Sequence, residues 1–126
     1  MKKIAALFFL MTPLFVYAEW SVIAYAKGGD IYSIDYSTIK KFGSNKRAWT
    51  LTSYQNGLGD KAPIALSAKT LAEYNCGEGK YNILSSSFYT QRNGQGELIG
   101  TTTPPINWDF IQPDSVYSQI LKVVCK

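Results

Sequence analysis

The sequence predicts an α+β fold: a small antiparallel β-sheet of about six strands with one C-terminal helix packed on it. Three observations predict it. Between residues 20 and 101, runs rich in β-branched and aromatic residues alternate with Gly, Asn and Asp clusters, the pattern of strands joined by turns. After residue 113 the apolar spacing changes to three and four, the period of a helix. Two cysteines, Cys76 and Cys125, stand where a bridge would tie that helix to the middle of the chain.

The elements follow in order. Trp20 to Ala26 and Ile31 to Asp35 flank the turn Lys27-Gly28-Gly29-Asp30 and predict a hairpin. Gly43-Ser44-Asn45 is a second turn. Lys46 to Tyr54 then places Trp49 and Leu51 on one face and Thr50, Thr52 and Tyr54 on the other. Trp49, among Ala48, Leu51 and β-branched neighbours, is assigned to the core. Residues 55–66 contain Asn-Gly, Gly-Asp and a Pro and read as a loop. Thr70 to Cys76 alternates, with Ala72, Tyr74 and Cys76 together. Gly77-Glu78-Gly79 connects it to a long strand from Lys80 to Thr90. Gln91 to Gly96 is a polar loop and Glu97 to Thr101 a short strand. Pro113-Asp114-Ser115 starts the helix, with Asp or Ser as cap. Val116, Ile120, Leu121, Val123 and Val124 form its apolar stripe.

The first 18 residues are a separate matter. Lys2 and Lys3 precede an apolar run from Ile4 to Met11, Pro13 breaks it, and Val16-Tyr17-Ala18 offers a cleavage site. This is the layout of a secretory signal peptide over residues 1–18, leaving a domain at residues 19–126. A membrane span would need about 20 apolar residues, and Glu19 interrupts first. Removing 18 of 126 residues leaves 108, and losing two lysines lowers the net charge from +4 to +2. A charge of +2 spread along an exported chain argues against nucleic-acid binding. No cysteine stands at the cleavage point, so nothing marks a lipid anchor. The chain is read as exported, to the periplasm or the cell surface. In an oxidising compartment the two cysteines are read as a disulfide.

Composition excludes several chemistries. With no histidine in the chain, Ser-His-Asp triads, Cys-His dyads and His-bearing zinc sites are ruled out. Two cysteines are too few for an all-Cys zinc or iron–sulfur centre. No acidic pair stands out, and Gly77-Glu78-Gly79-Lys80 lacks the spacing of a phosphate loop. No catalytic residue, cofactor or metal is assigned. The excess is aromatic: the mature chain keeps three Trp, eight Tyr and three Phe. So many tyrosines exceed what a small domain can bury, which predicts a tyrosine-bearing contact face. The candidate contacts are Tyr25, Tyr32, Tyr54 and Tyr89, with Arg92 in the neighbouring loop.

The ordered set of residues carries a family resemblance. Trp20 opens the first strand, and Tyr32 to Asp35, Ile39 and Gly43 follow. Ala48-Trp49-Thr50-Leu51 leads to Tyr54, Ser67-Ala68-Lys69 to Glu73-Tyr74-Asn75-Cys76, and Tyr81-Asn82-Ile83-Leu84 to Tyr89. Trp108, Pro113, Ser115 and Val123-Val124-Cys125-Lys126 complete the set. Across residues 19–126 the chain resembles the surface-adhesin protein E family of Gram-negative bacteria. The resemblance implies adhesion to host extracellular-matrix or plasma proteins, admits a homodimer, and implies no catalysis. The competing function is a periplasmic inhibitor or accessory protein acting on another exported protein.

The leader yields the first testable outcome. N-terminal sequencing of the exported protein is expected to start at Glu19; a membrane-embedded form retaining residues 1–18 would contradict the assignment.

Overall fold

The structure, a computed structural model, describes residues 18–126. The predicted leader therefore lies, except for Ala18, outside the described residues. Eight strands and one α-helix are found among them, in the order β1 (Ser21–Tyr25), β2 (Ile31–Ile34), β3 (Lys40–Phe42), β4 (Asn45–Leu58), β5 (Ala65–Asn75), β6 (Lys80–Tyr89), β7 (Leu98–Thr102), β8 (Asp109–Phe110) and α1 (Val116–Val124). All the strand pairs are antiparallel, and the sheet runs β1, β2, β4, β5, β6, β7.

Those six positions are the six strands the alternation predicts. The two remaining strands are short and fill gaps along the long ones. β2 pairs with residues 50–53 of β4, and β3 continues the same side against residues 45–47. β7 covers the C-terminal half of β6, and β8 pairs at Lys80 and Tyr81. Between β2 and β3 a 3-10 turn at Tyr36–Thr38 is capped by Asp35, whose side chain accepts from the Ser37 N–H.

Two boundaries differ from the sequence reading. β4 runs on to Leu58 and β5 begins at Ala65, so much of the predicted 55–66 loop is strand. A register irregularity between Ser53 and Leu58 absorbs Gly57, which has φ +77°, and Leu58 still pairs with Ala65. The turn residues there mark a bulge, not the end of the strand.

Helix α1 forms where the period changes. The Ser115 side chain accepts from the Ser118 N–H and caps its start. Its inward stripe packs Ile120 and Val124 against Ile34, Ala48, Ala72 and Tyr74, all at most 1% exposed. Ala48 and Ala72 are register partners; their small side chains let the helix approach the sheet. Just beyond the helix, Cys125 is bonded to Cys76, which follows β5. Tyr117 of α1 stacks on Tyr81 of β6, ring centroids 4.2 Å apart.

The helix face corrects one expectation. The phase of β4 is as read, but Trp49 is not in the core. Ala48 and Thr50 lie beneath the helix side, and Trp49 is half-buried on the other face. Alternation defines two sets of residues; the larger side chain does not decide which set the helix covers.

Tyr74 lies at the centre of the core with its hydroxyl unpartnered. Burial pushes the phenols of Tyr74 and Tyr117 well above the usual tyrosine range, and neighbouring tyrosines add to the effect. The unfolded phenol ionises near pH 10 while the folded one stays protonated. Stability is therefore fully present below about pH 10 and lost as pH rises beyond it.

Two outcomes follow. Cys76→Ser or Cys125→Ser is expected to cost about 2–5 kcal/mol in urea unfolding, and the native protein is expected to show no alkylatable thiol. Tyr74→Phe removes a buried hydroxyl without a partner, and is expected to raise stability by about 1 kcal/mol. It should also shrink the loss of stability above pH 10 seen in pH-dependent unfolding curves.

Candidate functional site

Register pairing sorts the strand residues onto two faces. The helix face carries Ile34, Thr50, Thr70 and Ser86 in one cross-strand row, and Tyr32, Thr52, Ala68 and Phe88 in the next. The opposite, open face carries the row Tyr25, Ile31, Ser53, Ser67 and Tyr89. Beside it lie Ser33, Leu51, Lys69 and Ser87, then Trp49, Leu71 and Ser85, then Arg47 and Glu73.

The four candidate tyrosines thus divide into two pairs. Tyr25 and Tyr89 share a row of the open face at its two ends. Tyr25 is 71% exposed, and Tyr89 is half-buried with the Lys69 ammonium 4.8 Å from its ring centroid. Tyr32 and Tyr54 stand on the helix face, partly buried. Burial raises both phenols first of all, and the carboxylate of Asp30 adds to each. They belong with Tyr74, Tyr81 and Tyr117 in a group of phenols around α1. A single face presenting all four does not exist, because Tyr32 and Tyr54 sit at even positions in phase with Ile34 and Thr52.

The polar loop after β6 does not stand out into solvent. It folds back over the open face between Tyr25 and Tyr89. Asn93 accepts from and donates to the Ser53 hydroxyl, through its Oδ1 at 3.2 Å and its backbone N–H at 3.0 Å. The Gly94 N–H donates to Ser67 Oγ at 2.9 Å, and that hydroxyl donates to the Gln91 carbonyl. Gly94 has φ +69°, a left-handed conformation that favours glycine. Arg92 donates to the carbonyls of Tyr54 and Gln55 at 3.2 and 2.7 Å. Its guanidinium is thereby committed to holding the loop on the end of β4.

The remainder of the open face is uncovered, and sequence reasoning missed it. There Trp49 and Leu71 lie in register, Arg47 Nε donates to Glu73 Oε1 at 2.6 Å, and the Arg47 guanidinium sits 3.4 Å over the Phe42 ring. Trp49, Leu71, Arg47 and Phe42, with Lys40 and the 3-10 turn, line a shallow pocket of about 430 Å³. The signal that could have found it was the Lys40-Lys41-Phe42 run ahead of a turn, three residues that alternate too briefly to be read as a strand.

Among the described residues there is no cluster of three or more metal-ligating side chains. No helix among them is long and apolar enough to cross a membrane.

Known proteins share this architecture. A crystal form of Haemophilus influenzae protein E superposes with a TM-score of 0.63 at 18% identity, covering 82% of this chain and 86% of that one. Protein E from non-typeable Haemophilus influenzae gives 0.64 at 17%, covering 90% and 79%, and a further structure of Haemophilus influenzae protein E gives 0.64 at 17%, covering 90% and 88%. At this identity the likeness concerns the fold. No curated protein sequence matches the chain. The family model described as surface-adhesin protein E matches residues 20–126, almost the whole of the described domain, and the chain belongs to that family.

Proposed function

We propose that this chain is an exported, non-enzymatic binding protein whose partner is a host extracellular-matrix or plasma protein, held on the open face of the sheet. The observation that carries the reading is the aromatic content on the side of the sheet away from the helix. Helix α1 occupies the other side, so Tyr25 and Tyr89 face outward instead of filling the core. Aromatic residues with a polar handle supply contact area at low conformational cost and dominate binding hot spots. Membership of an adhesin family supports a protein partner in preference to a small substrate. A second copy of the chain on the same face is the other protein partner the reading admits.

The tyrosine pairs give the test. Tyr25→Ala and Tyr89→Ala are each expected to weaken capture by immobilised host matrix or plasma proteins by about 2 kcal/mol, with unchanged melting temperature. Tyr32→Ala and Tyr54→Ala are expected to lower the melting temperature instead. Sizing of the variants reports whether a homodimer uses the same face. Capture by none of the immobilised proteins, with the protein spared when intact cells are shaved with protease, would replace this reading with a periplasmic accessory role.

A further inference from the structure

The pocket beside Trp49 has a chemistry of its own. It is lined by the register pair Trp49 and Leu71, by Phe42, and by Ser37 and Thr38 of the 3-10 turn. The wall at the turn is fixed. Thr38 Oγ1 accepts from the Trp49 backbone N–H and donates to the Asp35 carbonyl. Ser37 donates through both its N–H and its hydroxyl to Asp35 Oδ1.

The charge at the opposite rim is unusual. Lys40 and Arg47 are direct partners across the β3–β4 ribbon, and like charges so placed destabilise a strand pair. Glu73 neutralises one of them only. Its Oε1 takes Arg47 Nε, and its Oε2 accepts from Asn45 Nδ2 at 3.1 Å. Among the described residues no carboxylate lies within 4.0 Å of the Lys40 ammonium. The other nearby acid, Asp35, is 7% exposed and turned into the 3-10 turn. Edge strands carry lysine to discourage stray pairing, which accounts for a cation on β3. It does not account for one set opposite Arg47 beside a half-buried tryptophan.

We infer that this pocket is a subsite for an acidic saccharide, a pyranose unit bearing a carboxylate or sulfate. The C–H face of the ring lies on the indole of Trp49, and the anionic group meets Lys40 and the Nη groups of Arg47 left over from the Glu73 bond. The Phe42 ring beneath the guanidinium holds its plane in place. A pocket of about 430 Å³ is of the size that takes a small ligand. An acidic peptide would use the two cations and leave the flat aromatic floor unfilled; the sugar uses both. This inference goes beyond the protein-binding reading. The pocket lies four residues along β4 from Ser53, in the row that joins Tyr25 to Tyr89.

The test is calorimetric titration of the mature protein with a heparin-derived tetrasaccharide, with neutral maltotetraose and hexaglutamate as comparison probes. The tetrasaccharide is expected to bind and maltotetraose not to. Trp49→Ala and Lys40→Gln should each weaken binding about tenfold or more, Trp49→Phe should retain most of it, and Lys27→Gln in the β1–β2 turn should change nothing. Lys40 is on an exposed strand, so its variant decides the matter if Trp49→Ala unfolds. No tetrasaccharide binding at about 1 mM would overturn the inference. So would equal losses in Lys40→Gln and Lys27→Gln, or Trp49-dependent binding of hexaglutamate as tight as that of the sugar. Tyr25→Ala and Tyr89→Ala are expected to leave the titration unchanged, so this subsite and the protein-binding face can fail independently.

Discussion

The docking of α1 on one side of the sheet is the contact from which the rest of the architecture follows. At nine residues the helix is too short to persist alone in water. It exists because Ile120 and Val124 are buried against Ile34, Ala48, Ala72 and Tyr74, each such side chain contributing about 1.5–3 kcal/mol. The Cys76–Cys125 bond then closes a loop of 49 residues, worth about 4 kcal/mol through the unfolded chain. A sheet face that carries apolar side chains needs cover. Once the helix supplies it, the opposite side is committed to solvent or to a partner.

This dependence explains what could be read from the sequence and what could not. The hairpins, the long strands, the helix with its Asp-Ser start and the disulfide all announce themselves locally, through periodicity, turn residues and cysteine count. The side of β4 that meets the helix does not. Trp49 looks like core because it is large, yet the helix lies over Ala48 and Ala72, whose smallness is the more telling feature. The candidate tyrosines divide for the same reason: Tyr32 and Tyr54 are in phase with the helix side, Tyr25 and Tyr89 with the open side. Strands of two and three residues such as β8 and β3 carry no readable period, and they form because β6 and β4 offer unpaired backbone beside them.

The open face is itself divided. The 90–97 loop lies across Ser53 and Ser67, which are at most 5% exposed beneath it. Two serines are suited to this position, because each hydroxyl both accepts from a loop N–H and donates to a loop oxygen. Arg92 adds two bonds to the carbonyls of β4. The loop is therefore a built part of the face. It separates Tyr25 from Tyr89 and leaves the Trp49 end bare.

A fold organised in this way separates stability from recognition. Six buried residues, one disulfide and a short helix hold one side. On the other side, strand alternation directs each outward substitution away from that core. Agreement with protein E structures at TM-scores of 0.63–0.64 despite 17–18% identity is what such a division permits, since few positions need to be kept for the backbone to persist. It also limits how far function can be carried between relatives. The backbone is set by the helix side, whereas contact chemistry is set by outward residues such as Trp49, Lys40 and Arg47. A shared fold therefore does not transmit a shared ligand, and the ligand of this chain has to be argued from its own open face.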